Sequence, residues 1–341
     1  MEEQQLNKKP LYLSASKIKT YASCSWQYYA SYVLKIPQAG NSGASRGTVV
    51  HNLFELIAKP KHEHYINKIW LSGSAEKVPA VKRFLERQFR KEKLNKTEEV
   101  KPTKVKYGVK TNWESVCEMI HTTLKFEFLS TAGQKIIHSE YEFDLVNEKP
   151  KYAVRGFIDR LSEEDEGGTL KILDYKSSSK KFKGEDEEAN IQAMIYSLVA
   201  RKIWKNYKNY KASFFFMRFP EDPYQHNEFS EKELDGLEHY LEYITEILEN
   251  INQDSAKDNL AVNDKDKSWL CGRGKWVCPY KNAITFYKVK DKTKTGKESE
   301  VSSHLKLEDA QSSAARNEDW QVHTETYEGC PAFKSKQFLD F

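Results

Sequence analysis

Asp174 and Lys176 stand two residues apart at the end of an apolar run, in "LKILDYKSSSKKF" (170–182). Alternate residues of a strand share a face, so Leu170, Ile172, Asp174 and Lys176 lie on one side. A face that buries leucine and isoleucine thus ends in a carboxylate and an ammonium. An unpaired buried ion is costly, so such groups are exposed, paired with each other or bound to a metal. Glu99-Val100-Lys101 repeats the spacing in a polar stretch, and spacing alone fits a strand emerging into solvent equally well. Asp159 adds a second carboxylate: it closes "VRGFI", and an antiparallel neighbour can bring it beside Asp174. Two adjacent carboxylates repel unless a cation lies between them. A hard divalent ion such as Mg2+ accepts carboxylates, waters and a carbonyl, here that of Tyr175. Such an ion polarises a phosphodiester and lowers the pKa of bound water, while Lys176 orients the nucleophile and offsets charge on the pentacovalent phosphate. This is hydrolytic chemistry on DNA or RNA.

The elements that must position these residues follow from periodicity. "SASKIKTYASCSWQYYASYVL" predicts a first helix capped by Ser14 and carrying Cys24, and "GTVVHNLFELIAK" a second with His51 near its start. Residues 62–111 read as a helical insertion with a polar loop around Pro102. "ESVCEMIHTTLKFEFLS" is a third helix, which makes Cys117 a core thiol. The period then changes to two. "KIIHSEYEFDLV", "YAVRGFIDRL" and "TLKILDYKS" are strands, with antiparallel pairing the simplest arrangement. "EDEEANIQAMIYSLVARKIW" predicts a helix with four acidic residues in its first turn, "KASFFFMRF" a fourth strand, and "SEKELDGLEHYLEYITEILENI" a long amphipathic helix. The Lys-rich stretch "KVKDKTKTGKESEVSS" reads as a solvated loop.

Composition narrows the function classes. With 39% hydrophobic and 30% charged residues the chain is globular rather than disordered. No stretch reaches the roughly 18 apolar residues that span a bilayer, and "MEEQQLNKKP" is no secretory leader, so an intracellular, cytoplasmic protein without membrane partners is expected. The net charge of +4 is too small to diagnose nucleic-acid binding by itself. No G-x-x-x-x-G-K-[ST] loop is present, so no nucleotide cofactor is expected. Five cysteines, Cys24, Cys117, Cys271, Cys278 and Cys330, do not read as a disulfide framework in a leaderless chain of 341 residues. Ligands or buried thiols fit better.

Taken in order, "SASKIKTYASCSWQYYASYVL", "RGTVVHNLFE", "VRGFIDRL", "ILDYKSS" and "IQAMIYS" resemble the PD-(D/E)XK nuclease superfamily, specifically its RecB-like exonuclease branch, which includes the AddB nuclease domain and the CRISPR-associated iron-sulfur nucleases. The resemblance implies an α/β (α+β) fold: a restriction-endonuclease-like core with a central mixed sheet of about four strands flanked by helices, a helical N-terminal insertion and a cysteine-bearing C-terminal tail. The expected organisation is a helical region 1–135 with Cys24 and His51, a nuclease core 136–220, a long helix 221–260, and a cysteine-containing region 261–341 packing back on the first helix as part of one composite domain.

The resemblance also implies roles. Asp159, Asp174 and His51 would hold Mg2+ or Mn2+, and Lys176 would be the catalytic lysine. Glu140 would match an acidic catalytic residue, although it equally suits an exposed strand carboxylate. Gln192 and Tyr196, four apart on one helix face, match a Q-x-x-x-Y motif that contacts DNA or supports Lys176. Cys24, Cys271, Cys278 and Cys330 match thiolates that hold a 4Fe-4S cluster, with zinc as the alternative. The spacing departs from the family pattern, since the Lys-rich stretch separates Cys278 from Cys330. The implied activity is that of a divalent-metal-dependent DNA nuclease, an exonuclease preferring ends or single strands, acting in recombination, repair or phage DNA processing with a helicase or recombination partner. The alternative is a non-catalytic DNA-binding scaffold of the same fold.

Overall fold

The computed structural model describes residues 10–104, 108–129, 135–165, 168–184, 187, 190–271 and 277–333. The chain divides into two compact units, Met1–Tyr12 with Gly40–Glu242 and Leu13–Ala39 with Tyr243–Phe341.

The first unit is built on a mixed sheet. A long hairpin joins β4 (Lys135–Glu148) to β5 (Lys151–Glu164), β5 pairs antiparallel with β6 (Thr169–Lys176), and β7 (Asn209–Phe216) lies parallel to β6. β8 (Tyr224–Glu228) closes one edge against β7, and the two-residue β1 (Tyr12–Leu13) pairs with β5. Apart from this sheet, β2 (Glu99–Val100) pairs antiparallel with β3 (Lys110–Thr111). The parallel step requires a crossover, supplied by α7 (Ile191–Ile203). β6 is buried along seven of its eight residues, as befits a central strand covered on both faces. Val50, Leu53, Phe54 and Ile57 of α3 (Ser42–Ile57) pack with α4 (His64–Ser72), α5 (Pro79–Lys91) and α6 (Asn112–Thr123) against Leu173, Tyr175 and Phe215. A separate cluster joins Ala193 of α7 to Ala212, Phe214 and Phe216 of β7. Burying each such leucine or phenylalanine is worth about 1.5–3 kcal/mol, which fixes the helices on the sheet. The long amphipathic helix is α8 (Glu231–Glu249), with Leu234, Leu237, Leu241, Ile244 and Leu248 buried at helical spacing.

Several expectations need correction. The first helix is interrupted: α1 (Ala15–Ser23) ends at Cys24, whose extended backbone (φ −164°, ψ 112°) caps the four-residue α2 (Ser25–Tyr28). A π-helical turn, Tyr29–Val33, follows. α7 begins at Ile191 rather than in the acidic run, because the Asn190 side chain accepts the Gln192 N–H at 3.0 Å and caps the helix. Its first turn contains no acidic residue. Of that run, 185, 186 and 188 lie outside the described residues, and Glu187 accepts from Gln225 Nε2 at 2.9 Å.

The Lys-rich stretch is not a solvated loop throughout. In the second unit β9 (Ile284–Asp291) is flanked antiparallel by β10 (Glu300–His304) and β11 (Trp320–Tyr327), with α9 (Leu307–Ala314) packed beside them. Lys288 is 7% exposed and stands 2.8 Å from Glu300 and 3.2 Å from Glu325, while Lys290 pairs with Glu325 at 2.9 Å. Lysine stems lie along the strand and their heads meet acids on both neighbours.

Burial works against ionising Glu300 and Glu325, but Lys288 with Lys35 at Glu300, and Lys290 with Lys288 at Glu325, outweigh it and hold both carboxyls below their usual range. Their contribution is therefore complete above the unfolded carboxylate pKa of about 4.3 and is lost as pH falls through the lower folded values. Lys288→Ala should destabilise the second unit by about 1–3 kcal/mol, because two partly buried carboxylates lose their shared cation. Urea melts should show this deficit at pH 7 and a much smaller one near pH 3; an equal deficit at both would assign it to packing.

Candidate functional site

Three strands deliver three carboxylates in one row. The β4–β5 register, Ser139 to Arg160 and Tyr141 to Ile158, puts Glu140 across from Asp159. Extending the β5–β6 register one residue past Arg160–Leu173 puts Asp159 across from Asp174. Neither of these opposed pairs belongs to the paired ladder. Asp159 Oδ2 instead accepts the Tyr175 N–H at 2.6 Å, so a side chain takes the place of a backbone carbonyl where the strands part.

Glu140 breaks the alternation of β4. Its φ is 54°, a left-handed conformation that disfavours a residue with a Cβ by about 1–3 kcal/mol. In a regular strand His138 and Tyr141 would face opposite sides, yet their rings lie 4.9 Å apart and both pack on Trp204. The flip falls at Glu140, which it turns toward Asp159.

His51 arrives from α3. The Asn41 side chain caps this helix by accepting from Ala44 N–H at 2.8 Å. One turn before His51, Gly47 lies so close to the end of β6 that an added Cβ would sit 2.8 Å from Ser177 Oγ. That approach sets His51 over the strand end: Nε2 is 3.0 Å from the Tyr175 carbonyl oxygen, and Nδ1 is 3.1 Å from Asp159 Oδ1 and 3.9 Å from Glu140 Oε1. Ligand atoms of His51, Glu140 and Asp159 all lie within 4.8 Å of one another, and no other such trio of His, Cys, Asp or Glu occurs among the described residues.

The electrostatics match a site short of positive charge. Burial opposes charging His51, but Asp159, Asp174 and Glu140 outweigh it and push the imidazole up to about 9. Burial and the neighbouring Asp159 raise Glu140 to about 7. Asp174 is also raised, by burial above all, against the opposing pull of Lys176.

Asp174, Lys176, Gln192 and Tyr196 form one network. Gln192 Nε2 donates to Asp174 Oδ1 at 2.8 Å, and its Oε1 accepts from Lys176 Nζ at 2.7 Å. The same amide nitrogen lies 2.8 Å from Tyr196 OH, which donates to the Phe157 carbonyl at 2.6 Å. Lys176 Nζ also forms an ion pair with Asp174 Oδ2 at 2.6 Å. The buried row of carboxylates, with one imidazole and one ammonium beside it, fits a hard cation.

The four tail and first-helix cysteines gather in the second unit. Cys24 and Cys330 belong to an apolar cluster with Trp26, Tyr280 and Tyr327, and Cys271 and Cys278 pack against it. None is in a disulfide, nor is Cys117, which is buried in the first unit. Burial first, then the nearby thiols of Cys24, Cys278 and Cys271, pushes Cys330 up to about 12. Among the described residues these sulfurs do not close to the spacing of the His51 trio; residues 272–276, between Cys271 and Cys278, lie outside the description.

Sequence reasoning missed Phe157, whose carbonyl anchors Tyr196, and Glu55 of α3, whose charge helps raise Glu140. An apolar residue where β5 faces water was the available signal for Phe157; none marked Glu55. Converging carboxylates without a cation cost stability. Glu140→Gln should therefore raise the melting temperature in EDTA while shrinking the further rise produced by Mn2+, both read by scanning calorimetry. Unchanged stabilisation by Mn2+ would remove Glu140 from the metal site.

Two curated relatives, the same component of the ATP-dependent helicase/deoxyribonuclease from Clostridium botulinum strains Hall and Loch Maree, are each 24% identical over 204 residues, covering 55% of this chain and 17% of theirs. The match thus spans about a sixth of those proteins' length. A solved structure from Eubacterium rectale, provisionally designated an exonuclease, covers 78% of this chain and 89% of its own at 12% identity, with a TM-score of 0.43. The sequence profile of the PD-(D/E)XK nuclease superfamily matches residues 12–283, most of the chain, and takes in every member of the carboxylate row together with His51, Lys176, Gln192 and Tyr196. This chain belongs to the PD-(D/E)XK nuclease superfamily.

Proposed function

We propose that the protein is a divalent-metal-dependent DNA nuclease, an exonuclease preferring ends or single strands. The observation that carries this reading is the convergence of His51, Glu140 and Asp159 within 4.8 Å of one another, with the Asp174–Lys176 pair on the next strand. His51, Asp159, Asp174 and the Tyr175 carbonyl, with Glu140 at the margin, would hold Mg2+ or Mn2+. When bound, the cation supplies Lewis acidity toward a phosphodiester oxygen and lowers the pKa of a coordinated water.

The chain's own residues do the rest. Gln192 holds Asp174 and Lys176 in fixed relation through its two amide ends, so the ammonium is preorganised where charge develops on the phosphorane. Asp159 uses one oxygen to fix the strand fork and turns the other toward His51. Burial of Asp159 and Asp174 keeps water from screening these charges.

DNA as substrate and association with a helicase are supported by the Clostridium botulinum relatives, components of an ATP-dependent helicase/deoxyribonuclease, and would place the protein in recombination, repair or phage DNA processing. No described helix is long and apolar enough to cross a membrane. In the second unit Cys24, Cys271, Cys278 and Cys330 would hold a 4Fe-4S cluster or zinc. Burial makes Cys278 and Cys330 resist ionisation as free acids, whereas a metal centre binds cysteines as thiolates.

Two experiments test these assignments. Asp174→Ala and Lys176→Ala should each lose at least about a hundredfold in cleavage of labelled DNA with Mg2+ or Mn2+. Only Asp174→Ala should also weaken Mn2+ binding by calorimetry; near-wild-type cleavage by both variants would overturn the nuclease reading. Protein purified without oxygen should be brown and contain iron, and Cys24→Ser or Cys330→Ser should lose iron and stability together, unlike Cys117→Ser. A colourless preparation binding stoichiometric zinc would assign the thiols to zinc, and a stable preparation free of both metals would reject a metal centre.

A further inference from the structure

Phe157 stands two residues before Asp159 in β5, and a strand rise of about 3.3 Å per residue keeps their Cα atoms within about 7 Å. It is 52% exposed and is the one phenylalanine among the described residues that falls in the exposed class. The opposite side of the hairpin is occupied. Phe143, the cross-strand partner of Gly156, covers that glycine so closely that a Cβ there would come within 2.7 Å of Phe143 Cζ. Phe143 in turn packs edge-on against the Tyr196 ring of α7 at 5.8 Å. Phe157, next to Gly156 in the strand, is left outside this packing, as its exposure shows.

The backbone beneath the ring is tied to the candidate site. Tyr196 OH donates to the Phe157 carbonyl, and Gln192 links Tyr196 to Asp174. The pair that orients the carboxylate therefore also sets the height of Phe157.

Its neighbours select what can lie on the ring. Directly across β4 is exposed Glu142. The next outward residue along β5, Arg155, is engaged by Asp144 and stacks on the Tyr12 ring at 4.2 Å. A phosphate placed over Phe157 would face the Glu142 carboxylate, with the nearby guanidinium already neutralised. A nucleobase carries no such charge and offers a π-face. We infer that Phe157 is a stacking platform for the nucleobase next to the scissile phosphate, an assignment that rests on the nuclease reading above. Stacking on a side chain needs a base free of its complement, so this device favours single strands and frayed ends over intact duplex.

Base–aromatic stacking is worth about 1–3 kcal/mol, or about 5- to 150-fold in affinity. Phe157→Ala should raise KM on a single-stranded oligonucleotide by a factor in that range while changing kcat less than about threefold, and Phe157→Trp should restore KM. An abasic site at the flanking nucleotide should raise the wild-type KM similarly and add little to Phe157→Ala, because both changes remove the same contact. Quenching of 2-aminopurine at that nucleotide, measured with Ca2+, should occur with wild type and vanish with Phe157→Ala; this readout does not need turnover. Additive effects of the two changes, or equal quenching by both proteins, would overturn the platform. Quenching lost in Phe157→Ala but with no cleavage by wild type would instead keep the platform and overturn the nuclease reading.

Discussion

The hydrogen bond from the Tyr175 N–H to Asp159 Oδ2 is the constraint on which the site depends. Two buried carboxylates on neighbouring strands repel, and β5 and β6 would relieve that repulsion by parting further. By taking the amide that an ordinary ladder would give to a carbonyl, Asp159 holds the fork at a fixed width and satisfies a buried donor at the same time. Its other oxygen is left facing His51. The same residue offers its carbonyl to His51 Nε2, so the Tyr175 backbone is gripped on one side by a carboxylate and on the other by an imidazole.

The residues between the site positions secure the strands from the other face. Arg160 and Lys171 converge on Glu127, which a π-helical turn after α6, Leu124–Leu129, carries into the core. Tyr224 OH also donates to Glu127, and the Arg160 guanidinium lies 4.9 Å from the Phe128 ring. Arg160, Lys171 and Glu127 are almost wholly buried, so losing any one strands the others. Strand alternation thus assigns neighbouring residues to two jobs: Asp159 and Asp174 belong to the carboxylate row, while Arg160 belongs to the buried ionic network and Tyr175 to the aromatic core with Phe54 and Phe215.

This division explains what could be read from the sequence. Alternation located β4, β5 and β6, and the charged end of "LKILDYK" marked where chemistry could sit, because both follow from local periodicity. His51 could not be placed by any spacing: its contact with Asp159 depends on Gly47 letting α3 approach Ser177. The left-handed turn at Glu140 was equally invisible, since glutamate is not a residue that announces positive φ. Asn190 was overlooked as a cap because the acidic run before it gave a stronger helix-start signal. In the second unit, charge density concealed a strand. Lys288 and Lys290 read as solvated until the acids of β10 and β11 are brought beside them, and β8, "YQHNE", has no apolar alternation to detect.

Several costly features meet at the candidate site. Positive φ at Glu140, burial of the Asp159 and Asp174 carboxylates, and carboxyl and imidazole groups displaced from their ordinary pKa values occur within one row of three strands and the helix above it. Each lowers the stability of the metal-free fold, and none is needed to close the core, which the apolar clusters and the Glu127 network secure by themselves. Protons can relieve part of the excess negative charge, as the raised His51 and Glu140 values indicate, but a proton satisfies one oxygen at a time. A multivalent cation satisfies several at once and relieves the repulsion that protonation only divides. On the proposed reading the geometry is arranged around a charge that the polypeptide does not itself contain, and the rigidity of the surrounding ionic and apolar packing is what keeps the carboxylates from collapsing away from it.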